Sequence, residues 1–119
     1  MENLPKLTET DLKPWFDKPQ LILDCAAQTQ KDLGQYGIEF AFSGNAETVY
    51  EELFAQIQPQ IETILKKGTS LMEILYRVDV DEAKVKIISH ENEPYSASIT
   101  RLILWRELQK VVTRFLLRK

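Results

Sequence analysis

Apolar residues recur at helical spacing in every part of this chain except one. Ile22, Ala26, Thr29 and Leu33, with Leu21 and Cys25 beside them, predict a helix from Pro19 to about Leu33. Pro19 suits a first helical position, and Gly34 and Gly37 end the run. Val49, Leu53, Ile57, Ile61 and Leu65 then return every four residues. Asn45 caps that long segment, Glu47, Glu51 and Glu52 load its positive end, and Lys66, Lys67 and Gly68 close it. Pro59 lies inside it and should kink the helix or split it at Gln58. Two capping boxes follow. Ser70-x-x-Glu73 opens a helix burying Leu71, Ile74, Leu75 and Val78, and Asp79-x-x-Glu82 opens a short one to about Ile88. A further short helix fits within Leu4 to Phe16, limited by Pro14, and a long one fits Tyr95 to Lys119.

The exception is Ile38 to Phe42, where Ile38, Phe40 and Phe42 alternate with Glu39 and Ala41. A lone strand has no partner for its backbone. Three resolutions are open: the same strand of a second subunit, an unrecognised short strand, or an extended loop pinned by its aromatics. The whole pattern predicts an all-α bundle of five or six helices over residues 1–119, with one extended segment at 38–42. The C-terminal helix is its central packing element.

Projected at 100° per residue, that last helix gathers Leu102, Leu104, Trp105, Leu108, Val111, Val112, Phe115 and Leu116 on one side. Arg101 falls on that apolar side and reads as an ion-paired or snorkelling side chain. Arg106, Lys110, Arg114 and Arg118 form a basic stripe opposite, interrupted by Ile99, Ile103 and Leu117. Apolar residues on a solvent face call for a cover, most simply another subunit. Ile38, Phe40, Phe42, Ile99, Ile103 and Leu117 are therefore the candidate oligomer interface.

Charge sharpens the picture. From Ile99 onward six basic side chains meet one acid, Glu107, while the remainder is acidic enough to bring the net charge to −3. Such asymmetry suits an acidic partner, nucleic acid, or docking of basic and acidic surfaces across a dimer. The negative total argues against nucleic-acid binding by the whole surface, so that alternative rests on Arg106, Lys110, Arg114 and Arg118.

The chemistry-bearing residues form no recognisable motif. Asp79, Asp81 and Glu82 could be imagined around a hard cation, yet acids at a helix start act as caps. His90 is the only histidine and Cys25 the only cysteine. Cys25 sits among apolar neighbours, where a thiol behaves as a small hydrophobe. All four glycines fall at element boundaries, so no phosphate loop is present. The expectation is no catalytic site, no metal and no cofactor. The first residues lack a basic and apolar leader pattern, and no apolar run approaches a spanning helix, which points to a cytoplasmic protein without membrane contact.

Leu75-Tyr-Arg-Val-Asp-Val-Asp-Glu82 and Arg106-Glu-Leu-Gln-Lys110 resemble segments of a family of short bacterial proteins of the Bacteroidetes type. The resemblance covers the second half of the chain and implies a bacterial cytosolic setting without an activity. The function expected is protein–protein interaction or assembly as a homodimer, with nucleic-acid binding as the alternative.

Overall fold

The computed structural model describes residues 18–68, 71–88 and 93–117. They form five helices: α1 (Pro19–Gly34), α2 (Val49–Lys67), α3 (Leu71–Val78), α4 (Glu82–Lys86) and α5 (Tyr95–Leu117). The expected all-α bundle is what is found. The helix placed within Leu4 to Phe16, the Ser70 cap, His90, Arg118 and Lys119 lie outside the described residues.

α5 is central and packs against all four other helices. A helix with neighbours on several sides buries more than half its circumference. Ile99 and Ile103 are accordingly fully buried in the chain's own core, beside Leu104, Leu108, Val111 and Val112. This corrects their assignment to an oligomer interface. Ile38 and Phe40 are also buried in the core, and Phe42 packs against it half-buried. Of the six residues proposed for an interface, Leu117 alone is substantially exposed, at 59%.

Pro59 neither splits nor ends α2, which runs unbroken from Val49 to Lys67. The missing N–H would have served the carbonyl of Ala55, and both residues face solvent. Water can take over that acceptor, so the interruption is tolerated on this side of the helix. Gly68 closes α2 in the left-handed conformation, φ 68°, donating its N–H to the Leu65 carbonyl.

Two cap assignments change. Asn45 heads the turn before α2 and not the helix itself: its side chain accepts from the Glu47 N–H, and Thr48, three residues later, is the N-cap of α2. Asp79 ends α3 instead of starting α4. It adopts φ 70°, with Asp79 N–H donating to the Tyr76 carbonyl and Val80 N–H to Leu75. That is a Schellman ending, and Asp is among the few side chains that tolerate it. Asp81 is the true cap of α4, accepting from the Ala83 N–H.

The extended segment takes the third of the three resolutions, with an addition. Glutamines on α2 supply the missing strand edge. Gln60 accepts from the Glu39 N–H (3.1 Å) and donates to the Glu39 carbonyl (2.7 Å). Gln56 does the same for Ala41, at 3.0 and 2.6 Å. One turn earlier, Glu52 accepts from the Ser43 N–H and hydroxyl. Two residues of extended chain advance about 6.6 Å and four of helix about 6 Å, so the registers match over this length. On the other side Gln30 of α1 donates to the Phe40 carbonyl. Replacing Gln56 with alanine should remove two of these bonds and cost about 1–2 kcal/mol, since both groups can turn to water. Amide exchange would check it. Ala41 should lose protection while core amides of α5 keep theirs, and unchanged exchange at Ala41 would refute the ladder.

Candidate functional site

The most unusual chemistry lies at the seam between α1 and α5, where four ionisable side chains converge. Asp32 comes from the last turn of α1, with only 3% of its surface exposed. Glu107 comes from the middle of α5 and is fully buried. Lys110, one turn further along, extends its ammonium between them, 3.0 Å from Asp32 Oδ2 and 3.1 Å from Glu107 Oε1. Gln28 donates to both oxygens of Asp32 at 3.2 and 3.1 Å. Arg77 of α3 stands more distantly, 3.9 Å from Asp32 Oδ1.

The two carboxyl groups divide their roles through environment. Burial alone would raise Asp32, but hydrogen bonds from Lys110, Glu107 and Gln28 hold it below its usual value. Glu107 is pushed up to about 8, first by burial and then by Asp32, with Lys110 opposing. Neither oxygen of Glu107 has an aligned hydrogen-bond partner among the heavy atoms, and the Lys110 contact is a close charge contact only. Two carboxylates offer acceptors and no donor. A proton on Glu107 resolves both problems, removing a buried charge and supplying a donor toward Asp32. At neutral pH the cluster is thus an ionised Asp32 held by Lys110, beside a neutral Glu107.

Cys25 lies on the same face of α1, and its thiol is pushed up to about 12 by burial and by Glu107. A thiolate is the nucleophile, so this cysteine is chemically quiet near neutral pH. Neither Asp32 nor Glu107 lines the two large grooves among the described residues, although Gln28, which donates to Asp32, borders the one between α1 and α5. A small gap of about 20 Å³ beside Cys25 and Trp105 is walled by apolar side chains. The contacts of the two acids run to Lys110 and Gln28 and tie α1 to α5.

This arrangement reassigns the basic stripe. Arg106 donates to the Asp79 side chain and carbonyl, both at 2.9 Å, and to Gln109. Lys110 is committed to the buried acids. Arg114 is exposed, and Arg118 is outside the described residues. Arg101 is paired with Glu93 at 3.1 Å and lies 4.7 Å over the Phe54 ring, as an ion-paired residue near the helix start should. The open row of cations that a phosphate backbone would follow is not assembled by Arg106 and Lys110. Among the described residues no cluster of three or more potential metal ligands occurs.

Glu107 enters the sequence reading only as the single acid of a basic segment, with no place in the fold assigned to it. The signal was present: Ile99 and Ile103 lie eight and four residues before it, on the same side of the helix. Two apolar residues in line with one acid argue for a buried acid as readily as for a covered surface.

The molecule's accessible apolar surface is elsewhere. Tyr76 and Met72 of α3 are 89% and 57% exposed. They border a groove of about 1070 Å³ that Tyr36, Leu75, Val80 and Val85 also line. Glu73, Asp79, Asp81 and Glu82 also line it, against a single cation, Lys86. Tyr36 is tied across by its hydroxyl, which donates to the Glu73 carbonyl at 3.3 Å. A second groove, of about 860 Å³, lies between α1 and α5 and carries Lys18, Lys31 and Arg114 with Asp24. No helix among the described residues is long and apolar enough to cross a membrane. No family model matches the chain, and neither the curated proteins nor the solved structures contain a significant match.

Proposed function

We propose that this chain is a non-enzymatic interaction protein that assembles with itself as a homodimer. The reading places it in the bacterial cytosol, in keeping with the resemblance of Leu75–Glu82 and Arg106–Lys110 to short bacterial proteins. The observation that carries it is the exposure of Met72 and Tyr76 together on one eight-residue helix, at the edge of an acid-lined apolar groove. Four buried positions of α3 (Leu71, Ile74, Leu75, Val78) already satisfy its packing. Two further large apolar groups left in water on the other face have a purpose when a partner covers them. Nucleic-acid binding has lost the support of Arg106 and Lys110, which are engaged within the chain.

The test is mass measurement in solution up to roughly 100 µM, a range in which even weak self-contacts are populated. The wild-type chain should show a dimer that dissociates on dilution. A Met72→Glu/Tyr76→Glu variant should be monomeric, and should match the melting temperature of wild-type chains diluted to the monomer, because both side chains are exposed. A wild-type chain that stays monomeric throughout would sink the reading.

A further inference from the structure

We propose that the groove beside α3 receives the basic end of α5 from a second copy, each copy's end entering the other's groove. The inference rests on the assembly reading above and names the occupant. Leu117 is 59% exposed on the last described turn of α5, and Arg114, three residues earlier, is exposed on the same side. Together they place an exposed leucine beside a cation on that turn. Lys31, also exposed, shares the neighbouring groove with Arg114 and extends the positive character of this end of the molecule.

The receiving surface has the opposite sign and the complementary form. Met72, Tyr76, Val80 and Val85 give it apolar lining, and four acids, Glu73, Asp79, Asp81 and Glu82, outweigh the one lining cation, Lys86. A leucine entering such a site removes apolar surface on both partners, while opposite charges steer the approach and set the orientation. The contact is between molecules because α5 is continuous. Arg106 holds Asp79 at the margin of the groove, and Leu117 lies eleven residues beyond it, about 16 Å along a rigid helix. A chain therefore keeps its own tip away from its own groove. Reciprocal exchange closes into a two-fold dimer with two copies of the contact.

The experiment measures dimer dissociation for three single variants, Tyr76→Glu, Arg114→Glu and Leu117→Glu, and for one mixture. Each single variant should raise the dissociation constant on the order of tenfold or more, with an unchanged unfolding midpoint at dilutions where the wild type is itself dissociated. Mixing Arg114→Glu chains with Glu73→Lys/Glu82→Lys chains should restore pairing between unlike chains. If Tyr76→Glu dissociates the dimer while Arg114→Glu and Leu117→Glu do not, the groove is the interface but its occupant is something else, and this inference fails alone. Indifference to all three variants overturns both readings. A monomeric chain that binds an added basic amphipathic peptide through Tyr76 overturns the second-copy occupant and leaves a groove for foreign partners.

Discussion

A Glu107→Gln variant should outlast the wild-type chain in alkaline solution and lose its advantage in acid. In the wild-type fold Glu107 holds its proton up to about pH 8, whereas in the unfolded chain it releases it near 4.5. Between those values the native state binds more protons than the unfolded state. Stability from this group is therefore complete below about pH 4.5 and drains away as pH rises through 8. The slope approaches about 1.4 kcal/mol per pH unit in the middle of that window, where one proton is at stake. Asp32 works in the other direction. Its lowered value makes its contribution present above the unfolded value of 3.8 and lost as pH falls. The two together place the optimum on the acid side of neutrality. A glutamine amide reproduces what the protonated acid offers, a donor for Asp32 and an acceptor for Lys110, without a proton to lose. Urea titrations from pH 5 to 9 would show a falling wild-type curve crossed by a flatter variant curve. A wild-type stability that stays level across this range would remove the case for a neutral Glu107.

Substitution of Lys110 should be the most damaging change on the basic stripe. Lys110→Met removes the counter-charge of a nearly buried Asp32, and breaking a buried pair on one side costs roughly 3–5 kcal/mol. Lys110→Glu is worse, because a third carboxyl joins Asp32 and Glu107. Compared as dissociated chains, Arg114→Glu, exposed four residues away, should shift stability by about 0.5 kcal/mol or less. A simple basic stripe predicts that reversing Lys110 and Arg114 spares the fold equally, so thermal unfolding of the three variants separates the two accounts. Equal melting temperatures for Lys110→Glu and Arg114→Glu would mean that Lys110 is not held between the buried acids. Asp32→Asn with Lys110→Met provides the control, since losing both charges should recover part of what Lys110→Met alone loses.

Most of the helical architecture could be read from the residues because it depends on local rules. Pro19 at the start of α1, the four-residue recurrence of Val49, Leu53, Ile57 and Ile61, and Gly68 after α2 are each sufficient to place an element. The candidate site was far less legible. Asp32 and Lys110 are 78 residues apart in the chain and meet at 3.0 Å only because α1 and α5 pack side by side. The stripe of Arg106, Lys110, Arg114 and Arg118 has perfect spacing on one helix. Spacing says which residues share a side, and it does not say what stands opposite.

Local spacing, caps and breakers thus determined by themselves that this protein is an all-α bundle, which stretches of the described residues are helical, and that Ile38 to Phe42 breaks the helical pattern. Tertiary packing decided the rest. It covered Ile99 and Ile103 with the chain's own helices, supplied Gln56 and Gln60 as the edge that the extended segment needed, and drew Lys110 inward between two acids. The physical reason is common to all three. A helix or strand forms by satisfying its own neighbours in sequence, but burial and the partner of a charge are properties of the surface packed against it. In this chain that surface is contributed by residues far away in sequence, so a charged side chain can be solvated or buried with identical local surroundings.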